Sequence, residues 1–316
     1  MSISLLNLHP PPADLQRLVR DGLRRSPRQL PAWMLYDAEG SRLFAEICRQ
    51  PEYTLTQREI ALLEENAAAI AAATGPGLVV EFGIGNARKV DPLLTALGSS
   101  VFAALDISLS ALKEALSGLA ARHPNTAMVG ICCDHTRLEQ LPQHPALDGQ
   151  RRIGFFPGSS LGNFTPEEAV DFLRNARQLL AGGPLLLGLD QPREPALMEA
   201  AYDDAAGVSA AFARNLLQRL NRDLQGDADP TQFRYRAHWQ ARQQRIDVLS
   251  DGHSTVVAEV RQCAAWRERT IARRLASGEV AVCAAKRERE LAAVALRAPV
   301  LVACCDSASA GCILRA

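Results

Sequence analysis

The chain has 316 residues, of which 47% are hydrophobic, and a formal net charge of zero with a sequence pI of about 7.0. This length and composition can bury a large core and predict two domains. The balanced charge excludes a field that would hold nucleic acid or an anionic membrane, so a small-molecule substrate is expected. No apolar run approaches the roughly 20 residues that span a bilayer, and no basic region precedes an apolar segment at the N-terminus. We expect a cytoplasmic, soluble monomer.

The eight cysteines do not indicate a metal site or a disulfide framework. None of them forms a C-x-x-C pair, and the six histidines also lack the spacing of metal ligands. Two adjacent cysteine doublets lie in strand-like runs, where cysteine behaves as a small apolar residue. We therefore expect reduced core cysteines and no bound metal.

Residues 1–56 are predicted to form helices and loops. Tyr36 and Tyr53 fall in neighbouring loops of this region. They can line a pocket with apolar rings and hydroxyl tips, or they can simply anchor the loops to the core. Thr56 and Glu59 have the spacing of a capping box, which predicts the start of the next helix.

Residues 78–90, with the sequence LVVEFGIGNARKV, predict a buried strand, a glycine turn and the start of a helix. An apolar run without alternation is typical of a strand that is buried on both faces of a parallel sheet. Gly83 and Gly85 allow a sharp turn and the close approach of a ligand, and a helix N-terminus offers unpaired N–H groups. Arg88 stands where the phosphate fingerprint G-x-G-x-x-G requires glycine. Taken alone, the stretch favours an ordinary tight turn.

Two further predicted strands each end in an acidic residue. Residues 101–108 (VFAALDIS) place Asp106 where it can accept hydrogen bonds from a ribose diol above the glycine turn. Residues 127–135 (AMVGICCDH) place Asp134 where its carboxylate can reach the exocyclic amine of an adenine. The order E-F-G-x-G, then D, then D resembles the class I methyltransferases that use S-adenosylmethionine (SAM). NAD-dependent enzymes share the first half of this pattern.

Residues 151–168 (RRIGFFPGSSLGNFTPEE) predict a fourth strand, a loop and a helix that starts at Thr165. Asn163 lies in this loop, at the carboxyl end of the strand. Its amide can both donate and accept hydrogen bonds, which suits a substrate with an amine beside a carboxylate. A turn-stabilising role explains Asn163 equally well. Residues 184–190 predict a fifth strand, and five βα units in order predict a doubly wound sheet.

The alternation of strands and helices stops after residue 191. A helix is predicted at residues 201–217. Strands of a second sheet are predicted at residues 233–239, 244–249 and 278–285. A closing hairpin at residues 300–305 and 311–314 would complete the seven-stranded sheet that is usual in class I methyltransferases.

The predicted fold class is α/β, a class I SAM methyltransferase with a doubly wound sheet and a second, smaller α+β domain. The SAM-binding domain is expected to comprise residues 57–193 and 287–316. The substrate-binding domain is expected to comprise residues 1–56 and 194–286.

Five separated segments, in order over nearly the whole chain, resemble the histidine-specific SAM-dependent methyltransferase family. They are WMLYDAEGSRLF, PEYTLT, VEFGIGNARK, GSSLGNFTP and AYDDAAGVSAAFARN. The best-known members of this family trimethylate the α-amine of L-histidine to hercynine, on the route to ergothioneine. The resemblance implies that SAM is held by Gly83, Gly85, Lys89, Asp106, Asp134 and the backbone at His135. It implies that the substrate's amine and carboxylate are held by Tyr53, Asn163 and Tyr202, as the catalytic groups, with Tyr36 near the side chain.

Methyl transfer is compatible with these residues because it is an in-line displacement at a sulfonium. The enzyme mainly has to align a neutral amine with the methyl group and to exclude water, and it needs neither a metal nor a covalent nucleophile. Hydroxyls and an amide around the substrate, rather than a close carboxylate, make it easier for the ammonium to lose its proton.

The sequence departs from its relatives near the C-terminus, at residues 278–286 (GEVAVCAAK). Family members that act on histidine carry a glutamate there and, two residues on, a serine or comparable polar group that recognises the imidazole. Alignment on the lysine puts Val282 and Ala284 at these places. Glu279 lies three residues too early and on the other face of a strand. Val248, Val282 and Ala284 together predict an apolar wall of the substrate pocket, which suits an apolar or aromatic amino acid better than histidine.

The expected function is therefore SAM-dependent N-methylation of the α-amine of an amino acid, for which histidine is the usual family substrate. A methyltransferase for a different small amine or acid and a non-catalytic relative are alternatives. The presence of Tyr53, Asn163 and Tyr202 favours an active enzyme.

Overall fold

The computed structural model describes residues 3–8, 12–25, 30–85, 87–164, 166–190, 193–241, 245–251, 260–263, 300–305 and 312–315. The chain divides into two compact units. Unit 1 comprises Met1–Leu8, Gln57–Gln191 and Ala265–Ala316. Unit 2 comprises His9–Thr56 and Pro192–Ala264.

The described part of the chain contains eleven strands and eight α-helices. The strands are β1 (Ile3–Asn7), β2 (Leu78–Phe82), β3 (Val101–Asp106), β4 (Ala127–Cys132), β5 (Arg152–Phe156), β6 (Leu185–Asp190), β7 (Arg234–Gln240), β8 (Arg245–Asp251), β9 (Val260–Cys263), β10 (Val300–Cys305) and β11 (Cys312–Arg315). The helices are α1 (Pro12–Leu23), α2 (Ala38–Ile47), α3 (Leu55–Thr74), α4 (Asp91–Leu97), α5 (Leu109–Arg122), α6 (Pro166–Leu179), α7 (Pro195–Tyr202) and α8 (Val208–Leu224).

Unit 1 is built on a sheet that has eight strands within the described residues, in the order β1-β4-β3-β2-β5-β6-β10-β11. All neighbouring pairs are parallel except β10 and β11. Apart from β1 and β11, this is the 3-2-1-4-5-6 order of the doubly wound fold, whose ligand crevice lies where the order reverses, here between β2 and β5. The predicted α/β doubly wound sheet is confirmed.

The central strands form because their residues are apolar on both faces. Every residue of β2 and β6 is buried, and the other three central strands have one half-buried end residue each. Helices on both sides of a parallel sheet remove both faces from water, so continuous apolar runs are stable there. The one charged side chain inside β2 is Glu81, which is fully buried.

Residues 3–7 form strand β1, whereas the sequence predicted helices and loops for this region. Ile3 lies opposite Met128 and Asn7 opposite Cys132 in a parallel pair with β4. The burial of β1 alternates between exposed and half-buried, as expected of an edge strand. The sheet therefore has one strand more than the seven predicted. A five-residue strand with little local signal forms because the open edge of β4 offers backbone hydrogen bonds.

Unit 2 combines helices α1, α2, α7 and α8 with an antiparallel sheet in the order β7-β8-β9. The predicted strands at residues 233–239 and 244–249 are confirmed as β7 and β8. The predicted strand at residues 278–285 lies outside the described residues. No helix in the described part of the chain is long and apolar enough to cross a membrane.

The helix predicted at residues 201–217 is interrupted, because α7 ends at Tyr202 and α8 begins at Val208. The carboxylate of Asp204 accepts hydrogen bonds from the backbone N–H groups of Val208 at 2.8 Å and Ser209 at 2.7 Å. Gly207 has a φ of 71°, which a residue with a side chain rarely adopts. The acid and the glycine thus start a new helix where the apolar pattern alone suggested a continuous one.

Candidate active site

The carboxyl ends of the parallel strands bring the predicted SAM residues of unit 1 to one edge of the sheet. Gly83 directly follows β2, and Asp106 is the last residue of β3. Asp134 lies two residues after β4, and Asn163 lies seven residues after β5. Because these strands are parallel and in register, all four residues lie at the edge where doubly wound sheets bind ligands.

The predicted glycine turn is confirmed. Gly83 has a φ of 81° and Gly85 a φ of 52°. The backbone N–H of Gly83 donates to the carbonyl oxygen of Leu105 at 2.7 Å, which fixes the turn to strand β3. A Cβ atom added at Gly85 would meet nothing within 4 Å, so the space beside this residue is open. The turn therefore leaves its backbone accessible to a ligand.

Asp106 lies beside the glycine turn. Its carboxylate accepts a hydrogen bond from the backbone N–H of Ser108 at 2.8 Å. Burial raises the pKa of Asp106 above its usual value, although hydrogen bonds from backbone N–H groups, including those of Ile84 and Gly85, lower it. This location agrees with the predicted contact to the ribose, which stays a prediction.

Asp134 and His135 lie at the end of the third predicted strand. One carboxylate oxygen of Asp134 accepts hydrogen bonds from the backbone N–H of Thr136 at 3.0 Å and from its hydroxyl at 2.6 Å. Burial lowers the pKa of His135 to about 4, so its imidazole is neutral at pH 7. The ring is packed among phenylalanines, and the predicted SAM contact at the backbone of His135 stays a prediction.

We call the rings around His135 the phenylalanine cluster. It consists of Phe82, His135, Phe156, Phe164 and Phe172, with ring centroids 4.5 to 6.4 Å apart in each contacting pair. Phe82 and Phe156 end strands β2 and β5, and Phe172 lies on α6. The cluster therefore packs together the two strands between which the sheet order reverses.

Lys89 forms an ion pair with Glu59. Its Nζ lies 2.7 Å from Oε2 of Glu59, whose side chain is 1% exposed. Both carboxylate oxygens of Glu59 also accept from the backbone N–H of Gly158, at 2.8 and 3.0 Å. The predicted capping box is therefore wrong: the Glu59 carboxylate is used elsewhere, and the Thr56 hydroxyl donates to Sγ of Cys48 at 3.3 Å. The predicted contact between Lys89 and SAM stays a prediction.

The loop that presents Asn163 begins in an unusual backbone conformation. Gly158 has a φ of 81° and Ser159 a φ of 56°, and a short 3₁₀ helix, Ser160–Asn163, follows. The hydroxyl oxygen of Ser159 accepts from the backbone N–H of Asp190 at 3.1 Å, which fixes the turn to strand β6. Oδ1 of Asn163 is buried, and no donor among the described residues reaches it.

The predicted tyrosines lie together in unit 2. We call their surroundings the tyrosine cluster, which consists of Tyr36, Phe44, Tyr53, Tyr202 and Phe212. The rings of Tyr53 and Tyr202 are 5.7 Å apart and nearly perpendicular. Tyr36 packs edge-on against Phe44 at 5.5 Å and Phe212 at 5.3 Å. The structure therefore brings together three residues that are far apart in sequence.

The residues predicted to line the side-chain wall are only partly within the described chain. Val248 is 6% exposed and belongs to an apolar cluster with Met198 and Ile246, against which Tyr202 packs. Its role in a substrate pocket stays a prediction. Val282, Ala284 and Glu279 lie outside the described residues.

Comparison with known proteins gives the family. The model of a protein family described as "Histidine-specific methyltransferase, SAM-dependent" matches residues 15–281 of this chain. A protein named histidine N-alpha-methyltransferase from Mycolicibacterium smegmatis is 38% identical over 239 residues, which cover 74% of this chain and 73% of that protein. A protein of the same name from Mycobacterium tuberculosis is 35% identical over 250 residues, with 77% and 76% covered. The chain belongs to the histidine-specific SAM-dependent methyltransferase family.

A more distant relative has a different name. The 4-dimethylallyltryptophan N-methyltransferase easF from Arthroderma benhamiae is 29% identical over 244 residues, which cover 71% of each chain.

As a member of this family, the chain is a SAM-dependent methyltransferase, and its own residues fit the cofactor. SAM carries a positive sulfonium, and acidic groups lie at the carboxyl edge of unit 1. The glycine turn is open to a ligand, and Asp106 lies beside it. Both carboxylate oxygens of Glu81 are buried, and no donor among the described residues reaches them. A buried carboxyl group without a hydrogen bond is costly, and a cationic ligand nearby would reduce this cost.

Two residues of this edge, Glu59 and Glu81, were not predicted as site residues. Burial raises the pKa of Glu81 well above its usual value; the charge of Lys89 opposes this effect. Glu59 did carry a signal in the sequence, because it lies one helical turn from Leu55 and from Leu63, which are 3% and 1% exposed. A charged residue on the apolar face of a helix indicates a buried partner.

Proposed function

We propose that the protein transfers methyl groups from SAM to the α-amine of an amino acid. The buried Oδ1 of Asn163 carries this proposal, because it is an acceptor that no donor in the described chain satisfies. An unsatisfied buried acceptor is costly, and an amine N–H of a substrate would satisfy it. Asn163 also lies at the carboxyl edge that carries Asp106 and the glycine turn.

In this proposal, the glycine turn and Asp106 bind SAM, and the two tyrosines together with Asn163 bind the substrate. The hydroxyls of Tyr53 and Tyr202 donate to the substrate carboxylate, while Asn163 accepts from its amine. SAM supplies the electrophilic methyl group. These three side chains fix the direction of the amine lone pair, which is what an in-line displacement requires. They are neutral, so they do not stabilise the ammonium form that cannot react.

The proposal leaves two candidates for the amino acid that is methylated, and they differ in their side chains. Histidine is one candidate, since two of the relatives described above are named for it. An apolar or aromatic amino acid is the second candidate. It is favoured by the apolar surroundings of Val248 and by Val282 and Ala284 in the sequence. One relative is named for 4-dimethylallyltryptophan, an amino acid with a large aromatic side chain.

The decisive experiment is incubation of the protein with SAM and each of the twenty amino acids, with the products read by mass. We expect one amino acid, or a small group of similar ones, to gain methyl groups. The same incubation without the protein provides the control for non-enzymatic methylation. If SAM binds but no amino acid gains a methyl group, the proposed function is wrong.

A matched pair of substitutions tests the side chain. Val282→Glu together with Ala284→Ser introduces the polar pair of the family members that act on histidine. We expect histidine turnover to rise and that of an apolar amino acid to fall, because the new carboxylate would be buried without a partner against an apolar side chain. Efficient histidine methylation by the unmodified protein would instead mean that another residue, such as Glu279, recognises the imidazole.

A further inference from the structure

The carboxylate of Glu59 connects two segments of unit 1 that have separate tasks. It lies 2.7 Å from Nζ of Lys89, in the segment that follows the glycine turn. Its two oxygens also accept from the backbone N–H of Gly158, at 2.8 and 3.0 Å, in the turn that leads to Asn163. One buried carboxylate thus holds both a predicted SAM ligand and the loop of a predicted substrate ligand.

Strand β6 provides the space for this carboxylate. A Cβ atom added at Gly188 would lie 1.8 Å from Oε1 of Glu59 and 3.1 Å from Cα of Pro157. Any side chain at position 188 would therefore displace either the carboxylate or the turn. The glycine in an otherwise apolar strand, LLLGLD, is explained by the need to admit Glu59.

The charge balance explains why Glu59 is needed at this place. Lys89 faces two buried acids, Glu59 and Glu81, and its charge opposes the raised pKa of Glu81. A flexible lysine between two acids has more than one possible partner, so its position depends on the stronger contact. The short contact with Glu59 provides that fixed position.

We propose that Glu59 is a positioning residue that serves both the SAM site and the substrate site. It orients the Lys89 ammonium toward the cofactor and fixes the Gly158 turn, from which Asn163 reaches the substrate amine. The substrate half of this inference rests on the proposed function, whereas the SAM half requires only that the protein binds SAM.

Two substitutions of Glu59 separate its two contacts. Glu59→Gln keeps an oxygen that accepts from Gly158 but loses the charge that holds Lys89. We expect the Kd for SAM to rise about tenfold, within the range for contacting charged residues, while the KM for the amino acid at saturating SAM changes less than roughly twofold. Glu59→Ala loses both contacts and should raise this KM as well. Glu65→Gln removes an exposed acid from the same helix and serves as the control.

A second set of variants guards against loss of the fold, because Glu59→Gln leaves the Lys89 charge without its buried partner. Glu59→Gln combined with Lys89→Met removes both charges and should restore the unfolding midpoint. If Glu59 acts through Lys89, this double variant binds SAM as Lys89→Met does, within roughly twofold. If Glu59→Gln weakens SAM binding about tenfold in both backgrounds, Glu59 does not act through Lys89 and the inference is wrong.

Gly188→Ala tests the same site without any change of charge. Because the added methyl group displaces the Glu59 carboxylate, we expect a higher Kd for SAM and a higher KM for the amino acid. SAM binding is measured by calorimetry without any amino acid, so this result does not depend on the proposed function. A protein that binds SAM but methylates no amino acid contradicts the proposed function alone. An unchanged Kd for SAM in a folded Glu59→Gln variant overturns the inference itself.

Discussion

Each unit contains a cluster of five packed rings, and the two clusters differ in their polar atoms. The phenylalanine cluster of unit 1 has no hydroxyl group, and Phe82, Phe156 and Phe172 are 1%, 2% and 3% exposed. The tyrosine cluster of unit 2 contains three hydroxyls, and its Tyr36 and Tyr202 are half-buried. The first cluster joins two strand ends, a helix and two loop residues, whereas the second consists of loop and helix residues only.

Because of this difference, we expect the phenylalanine cluster to stabilise the fold and the tyrosine cluster to bind the substrate. Burial of a phenylalanine ring stabilises a fold by about 1.5–3 kcal/mol and requires no hydrogen-bond partner. A tyrosine ring contributes similar apolar area, but its hydroxyl requires a hydrogen bond when it is buried. We therefore expect substitutions in the phenylalanine cluster to lower stability and substitutions of tyrosine hydroxyls to affect the substrate.

The largest expected effect is that of Phe156→Ala in the phenylalanine cluster. Removal of a fully buried aromatic side chain leaves a cavity and should lower the free energy of unfolding by about 3–5 kcal/mol. Urea unfolding followed by circular dichroism measures this change. Leu197→Ala, at a side chain that is 54% exposed, is the control and should have little effect. A loss below about 1 kcal/mol for Phe156→Ala would show that the cluster is not a stabilising core.

The sequence was sufficient where structure depends on local pattern. Strands β2 to β6 could be predicted because each is a short apolar run that ends in a turn or an acidic residue. Helices α4, α5 and α6 follow β2, β3 and β5, as the connections of a parallel sheet require. The same argument located Gly83, Asp106 and Asp134, since carboxyl ends of parallel strands share one edge. Strand β1 has no such signal, because it forms by pairing with an edge that is distant in sequence.

Glu59 shows why part of the site was missed. Its spacing from Thr56 satisfies a local rule for capping boxes, yet its carboxylate bonds to Gly158, which is 99 residues away in the chain. A buried ion pair and a hydrogen bond that both oxygens accept from one backbone N–H outweigh a single cap, which is worth about 1 kcal/mol. Local spacing cannot reveal such a long-range partner, although the apolar face around Glu59 gave a hint.

Asp106→Ala tests the cofactor side of unit 1. The loss of a hydrogen bond between a charged group and the ribose should weaken SAM binding by about 1.5–3 kcal/mol. Calorimetric titration with SAM measures this change. Asp171→Ala removes an exposed carboxylate from α6 and is the control, because this side chain is 69% exposed. Unchanged SAM affinity would remove Asp106 from the site without affecting the fold.

Asn163→Ala tests the substrate side of the same unit. We expect kcat/KM for the amino acid to fall by a factor equivalent to about 2 kcal/mol, since the substrate amine loses the oxygen that accepts its hydrogen bond. SAM binding should be nearly unchanged, because the predicted cofactor contacts lie on the glycine turn and on the strands that follow it. Equal losses in SAM binding and in transfer would identify Asn163 as a structural turn residue.

Tyr53→Phe tests the tyrosine cluster directly. The substitution keeps the ring, which lies 5.7 Å from Tyr202, and removes only the hydroxyl. We expect the KM for the amino acid to rise by a factor equivalent to about 1.5 kcal/mol, the lower end for hydrogen bonds to a charged group. The free energy of unfolding should change by less. A stability loss as large as that of Phe156→Ala would mean that the two clusters have the same role.

The smallest expected effect is the pH dependence that His135 gives to the phenylalanine cluster. Its pKa is about 4 in the folded protein, against an ordinary value of 6.5, because burial disfavours the charged ring. The unfolded chain therefore binds a proton first as the pH falls, so stability is full above pH 6.5 and is lost between pH 6.5 and 4.

The adjacent Asp134 charge and the partial exposure of the ring reduce the loss of stability, which we place at about 1 kcal/mol at pH 5. His135→Phe removes the titrating group and fits a cluster made of phenylalanines. In urea unfolding at pH 7 and pH 5, the unmodified protein should lose about 1 kcal/mol more than this variant. If the unmodified protein and His135→Phe respond equally to pH, the imidazole is already accessible to protons in the folded protein. Its packing then resembles that of the half-buried tyrosine cluster rather than that of a closed core.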